Sequence, residues 1–249
     1  MADEKRFAVL IDAENVSEKY IKFILDEISN DGVATIKRIY GDWTKPALSS
    51  WKNVLLNNSI TPIQQYNYTT GKNSTDSAMI IDAIDILYAG NIEGFCIVSS
   101  DSDFTRLASR LRESGMFVVG MGEKKTPAPF IAACDKFKYL EVLAQDALPQ
   151  AVENSSRQSA ATLDYTSIGA VKNTLLTIVQ ETSDDDGWAS LGDVGNILTK
   201  RYPDFDVRNY GFKKLTPFVN SLNIFEIKSV SGRDGHVRLM YVKEKNQKL

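Results

Sequence analysis

Over the first 146 residues, short β-rich apolar runs alternate with longer stretches of helical period. The runs are FAVLI (7–11), VATIKRIY (33–40), ITPIQQY (60–66), GFCIVSS (94–100), MFVVGMG (116–122) and FKYLEV (137–142). Between them lie SEKYIKFILDEI, the stretch around PALSSWKNVLLNN, STDSAMIIDAIDILYAG and DFTRLASRLRES, whose apolar positions recur at helical spacing. Strand, helix, strand in sequence predicts right-handed βαβ units and an α/β fold, a parallel sheet covered on both faces. FAVLI and FCIVS have no polar alternation, which places them at the buried centre of that sheet.

The pattern then stops. ALPQAVENSSRQSAATL (147–163) is small and polar with no sustained apolar period, and reads as a linker between a domain at 1–146 and a second at 164–249. The second domain predicts a helix over 167–180, a DDDG turn, a helix over 191–202 closed by Pro203, and a third helix over about 207–222. Two β-like runs, IFEIKSV and HVRLMYVK, follow, joined by SGRDG. Three helices and a hairpin make a small winged-helix α+β domain.

The 249 residues are 43% apolar and 24% charged, enough to bury two cores, so global disorder is excluded. The five-residue apolar run after the charged start is too short for a signal-peptide core, and no stretch reaches the roughly 20 apolar residues of a membrane span. A cytoplasmic location is the expectation. Cys96 and Cys134 belong to no C-x-x-C pair and read as buried free thiols. His236 is the only histidine. A His-rich zinc site is thereby excluded, and any Ser-His-Asp or Cys-His mechanism would hang on that one residue. Neither G-x-G-x-x-G nor a Walker lysine motif is present, which argues against nucleotide binding of those two kinds. Carboxylates or lysines must supply any chemistry.

The carboxylates have a pattern. Asp12 follows FAVLI directly, and Asp101 and Asp103 follow FCIVSS. Beyond the carboxyl ends of central parallel strands such groups share one crevice. Each also has a plain structural reading, an Asx-type turn for Asp12 and a helix N-cap for Asp101 or Asp103. Asp76 lies with Ile80, Ala83 and Leu87 along one stripe of its helix, inside an apolar arc, where a carboxylate is costly unless paired; capping is the alternative. The same wheel puts Asp82 and Asp85 on the opposite, solvated face. Asn15 either orients a ligand or caps the helix beginning near Ser17. Lys72 either contacts phosphate or is an ordinary solvated lysine. Carboxylates crowded in one crevice repel unless a cation lies between them. Oxygen donors without histidine favour Mg2+ or Mn2+, ions that serve phosphodiester hydrolysis.

IDAENV (11–16), GKNSTDSAMIIDA (71–83) and VSSDSDFTRLASRLRESGMFVVGMG (98–122), with ACDKFKYL (133–140) closing the domain, resemble the NYN domain of the PIN-like nuclease superfamily over most of residues 5–143. The resemblance implies a PIN-like three-layer αβα fold and Mg2+- or Mn2+-dependent cleavage of RNA, endonucleolytic in preference to exonucleolytic. It puts the metal acids at Asp12, Asp76, Asp101 and Asp103, with Asp82 a weaker fifth. Ser99 and Ser100 stand where many members have Ser-Gly, a departure expected to narrow the approach to Asp101. Residues 166–243 resemble the LOTUS (OST-HTH) domain, which implies binding of RNA or of a protein partner. The residues themselves carry an RNA reading too, since Arg208, Tyr210, Lys213 and Lys214 mix cations with an aromatic ring. The domain's net charge is only +1, against −4 for residues 1–146. The expectation is a metal-dependent ribonuclease with an RNA- or partner-binding module. The alternatives are a noncatalytic RNA-binding or adaptor protein that keeps the PIN-like shell, and a DNA nuclease with the same metal chemistry.

Overall fold

The computed structural model describes residues 4–66, 74–146, 165–231 and 238–245. The expected linker 147–163, Lys72, His236 and residues 232–235 of the expected SGRDG turn lie outside these. Two compact units result, Met1–Glu153 and Asn154–Leu249.

The first unit runs β1 (Arg6–Asp12), α1 (Ile21–Ile28), β2 (Val33–Gly41), α2 (Trp51–Asn58), β3 (Thr61–Gln64), α3 (Ser74–Ala89), β4 (Gly94–Val98), α4 (Thr105–Glu113), β5 (Phe117–Gly122), α5 (Ala128–Ala133), β6 (Lys136–Tyr139) and α6 (Leu140–Asp146). The sheet order is β3-β2-β1-β4-β5-β6, with every neighbouring pair parallel. Helices flank it as the strand-helix alternation predicts, in the PIN-like αβα arrangement. The two all-apolar strands, β1 and β4, are adjacent at the centre, where the chain reverses the direction in which it adds strands.

Alternation along β1 decides what each face receives. Phe7, Val9 and Ile11 pack with Cys96 and Val98 of β4, Ile21, Ile24 and Ile28 of α1, and Leu140 and Leu143 of α6. Ala8, Leu10 and Asp12 point to the other face, where α3 packs on β1 and β2. Both cysteines are buried free thiols, and burial raises the pKa of each.

The second unit comprises α7 (Ile168–Thr182), β7 (Ala189–Ser190), α8 (Leu191–Arg201), α9 (Leu215–Ser221), β8 (Phe225–Ser231) and β9 (Arg238–Glu244), with an antiparallel sheet of order β7-β9-β8. Its own core joins Val171, Leu175 and Ile178 to Val194, Leu198, Phe218 and Val242. The single third helix expected over 207–222 is not formed. A 3-10 turn at Val207–Tyr210 ends in Gly211 at φ +80°, Lys214 is extended, and α9 begins only at Leu215. A left-handed residue and an extended one cannot continue a right-handed helix. No described helix is long and apolar enough to cross a membrane.

Candidate metal centre

The crevice lies where β1 and β4 end side by side. Asp12, the last residue of β1, is 1% exposed, and its carboxylate is fully engaged. Oδ1 accepts the backbone N–H of Glu14 at 3.0 Å and of Asn15 at 3.3 Å; Oδ2 accepts Asn15 Nδ2 at 2.7 Å and Ser99 Oγ at 2.8 Å. Burial raises the Asp12 pKa, and these hydrogen bonds oppose the rise. The Asx-turn reading and the crevice reading of Asp12 therefore describe one arrangement. Asn15 caps nothing: the 3-10 turn at Glu18–Tyr20 starts at Ser17 with no side-chain cap, and the Asn15 amide holds Asp12.

Asp101 follows β4 and caps a 3-10 turn, Ser102–Phe104, by accepting the Asp103 N–H at 2.9 Å. Ser99 sits between the two strands' ends. It is fully buried, donates to Asp12, and accepts the Asp101 N–H at 3.1 Å. Sequence reasoning named it only as the first serine of the Ser99-Ser100 pair that stands where many members have Ser-Gly, and gave it no role. The signal available was the period of two, which puts Phe95, Ile97 and Ser99 on the face of Asp12. The Ser100 hydroxyl accepts the Glu123 N–H at 2.8 Å.

Asp76 comes from the first turn of α3. One carboxylate oxygen each from Asp76, Asp101 and Asp103 fall within 4.8 Å of one another. Asp12 is not the fourth member of that close set, yet its charge reaches Asp76. Burial, with the negative charge of Asp12, Asp101, Asp103 and Glu14, pushes the Asp76 pKa up to about 6. Beside Asp76, the Thr75 hydroxyl is buried with no hydrogen-bond partner among the described residues. Three hard oxygen donors, mutual repulsion and an orphaned hydroxyl next door suit a small divalent cation bound through oxygen.

Asp82 corrects the helical wheel. It is not solvated: its carboxylate pairs with Arg38 and accepts the Tyr40 hydroxyl, both from β2. Met79, Ala83 and Ile86 are the buried apolar positions of α3, so the helix is rolled relative to the stripe through Ile80 and Leu87, and Asp82 rides its flank against the sheet. Asp85 is exposed as expected.

The second unit changes the proposed RNA contacts. Arg208 makes a two-point pair with Asp206, at 3.0 and 2.7 Å. The Tyr210 hydroxyl donates to the Thr166 carbonyl at 2.6 Å, its ring packs against Tyr165, Phe205 and Phe218, and burial raises its pKa. Both are occupied within the fold; Lys213 and Lys214 are exposed.

Fold and crevice define a PIN-like αβα domain with an acidic site, joined to a small domain carrying an antiparallel sheet. The family profile of the NYN domain matches residues 6–141, and that of the OST-HTH/LOTUS domain matches residues 167–237. The chain belongs to the NYN domain family. Among solved structures, it is similar to a protein of unknown function from Vibrio parahaemolyticus at 17% identity and a TM-score of 0.46, over 56% of this chain and 94% of that one. It is also similar to an uncharacterized protein from Nitrosomonas europaea at 28% identity and a TM-score of 0.31, over 41% of this chain and 94% of that one. Comparison with curated proteins finds no match.

Proposed function

We propose that the chain is a ribonuclease dependent on Mg2+ or Mn2+, cleaving RNA internally, with its second domain holding the RNA. The observation that carries this is the convergence of Asp76, Asp101 and Asp103 within 4.8 Å at the ends of the central strands, in a chain of the NYN family. These three would hold the cation; Asp12, anchored by Asn15 and Ser99, adds negative charge behind them and keeps β1 and β4 in register. A bound divalent ion there supplies polarisation of a phosphoryl oxygen and neutralisation of the charge that builds up during hydrolysis. The protein's share is to fix the carboxylates in advance. The Asp103 N–H on Asp101 and the Ser99 bridge between Asp12 and Asp101 do this.

The experiment is degradation of end-labelled single-stranded RNA and of DNA of the same sequence, with Mg2+, with Mn2+ and with EDTA. Cleavage of RNA to internal fragments, abolished by EDTA, is the expected result. Equal cleavage of DNA would make the site a general nuclease, and RNA binding without cleavage in either metal would make the chain an adaptor.

A further inference from the structure

The outer face of the small sheet collects rings and lysines that the cleavage reading leaves unused. Across β8 and β9, Glu226 pairs with Lys243, Lys228 with Tyr241 and Val230 with Leu239, so these side chains share one face. The opposite face, with Phe225, Ile227, Met240 and Val242, lines the core.

Trp188, just before β7, completes the outer face. The Lys228 ammonium lies 4.0 Å from the Trp188 ring centre and 5.6 Å from that of Tyr241, and the Lys243 ammonium lies 5.9 Å from Trp188. The tryptophan is held in place from behind. Its backbone N–H donates to the Asp184 carboxylate at 2.7 Å and its carbonyl accepts the Asp184 N–H at 2.9 Å. Gly187 lies in this turn at φ +80°, and a Cβ there would meet Lys243 Cε at 3.2 Å, so glycine lets the lysine stem cross the turn. Lys243 donates to the Asp186 carbonyl at 2.7 Å.

The face offers a ligand cations placed next to aromatic rings. Asp184 spends its carboxylate on the Asp186 and Trp188 N–H groups; Asp185 and Asp186 are exposed in the same turn and Glu226 on the strand, so the cations of the face are Lys228 and Lys243, the two that lie beside the rings. Val230 and Leu239 continue the face as apolar surface, 42% and 46% exposed. A lysine resting on a partly exposed ring is weakly held and can swing to a phosphate, uncovering the ring for a base. An acidic peptide would use the lysines but not the rings. A duplex keeps its bases stacked inside, so the rings select an unpaired strand.

We propose that this sheet face binds single-stranded RNA, Trp188 and Tyr241 stacking bases while Lys228 and Lys243 contact flanking phosphates. The proposal rests on the reading of the chain as an RNA enzyme. It moves the main contact surface away from Arg208 and Tyr210.

The test uses the full chain and a fluorescent single-stranded RNA of about 16 nucleotides, with affinity measured by anisotropy at several salt concentrations in EDTA to prevent cleavage. Lys228→Gln with Lys243→Gln should lower the slope of log affinity against log salt by about 1.4, at about 0.7 per single-strand phosphate contact. It should also weaken binding more than Lys213→Gln with Lys214→Gln, which removes the same charge elsewhere in the domain. Trp188→Leu should weaken binding about tenfold, and Trp188→Phe should restore most of it while removing the RNA-induced quenching of tryptophan emission. Circular dichroism of each variant separates loss of contact from loss of fold. If wild type binds and all variants bind as it does, or both lysine pairs lose equally, the face is not the site although the RNA reading stands. If wild type binds no RNA, both fall, and a protein partner is left for this face.

Discussion

Asp76 sits in the first turn of α3 with its carboxyl half-buried and its pKa pushed up to about 6 from 3.8. A carboxyl that holds its proton more tightly in the folded state favours folding below its unfolded pKa, and loses that contribution as pH rises through 6. The metal-free protein should therefore be less stable at about pH 7 than at about pH 5 on account of this group. Asp76→Asn should melt higher than wild type at about pH 7 without metal, and the gap should close toward about pH 4. Mg2+ or Mn2+ should raise the melting temperature of wild type more than that of the variant, because a cation binding only the native state shifts folding by mass action. Thermal melts across pH, with and without metal, check all three. A metal must also displace the proton, so its affinity should climb with pH up to about 6 and then flatten. Ser99→Ala removes the hydroxyl that joins Asp12 to Asp101, and should cost about 1–3 kcal/mol in urea unfolding, the usual penalty for a buried polar group left without its partner.

At the scale of elements, the acids at strand ends were legible because a parallel sheet dictates where the ends of its central strands point. Asp12, Asp101 and Asp103 needed only the strand boundaries. Asp82 was not legible. Its partners Arg38 and Tyr40 lie more than forty residues earlier in the chain, and the roll of α3 that brings them together is set by packing of Met79, Ala83 and Ile86, not by the spacing of charges. Asp82→Ala would leave the fully buried Tyr40 without its acceptor, and should destabilise the first domain by about 1–3 kcal/mol, visible as a shift in the denaturation midpoint. The third helix of the second domain failed for a related reason. Leu215, Val219 and Leu222 do have helical spacing and lie on α9 and its C-cap, but Gly211 at φ +80° keeps that helix from reaching back to Val207. A Cβ at Gly211 would meet no described atom within 4 Å, so the glycine's role is purely conformational and leaves no trace in an apolar pattern. Gly211→Ala should cost about 1–2 kcal/mol through backbone strain alone.

At the scale of the molecule, the two units have separate cores and opposite charge balance, −4 for residues 1–146 and +1 for residues 164–249. The NYN domain is poorly disposed to hold a polyanion except through a cation. The fragment 1–146 should keep metal-dependent cleavage at high enzyme concentration and lose RNA affinity, with a flatter salt dependence than the full chain; binding isotherms at two salt concentrations beside a cleavage assay check this. The central claim is that Asp76, Asp101 and Asp103 form one metal site that hydrolyses RNA. Its most direct test is the rate of Mn2+-dependent RNA cleavage by full-length wild type and by Asp101→Asn, with the variant's fold verified by circular dichroism. The account predicts that the folded variant falls to the background seen in EDTA. Cleavage by the variant at the wild-type rate would contradict it.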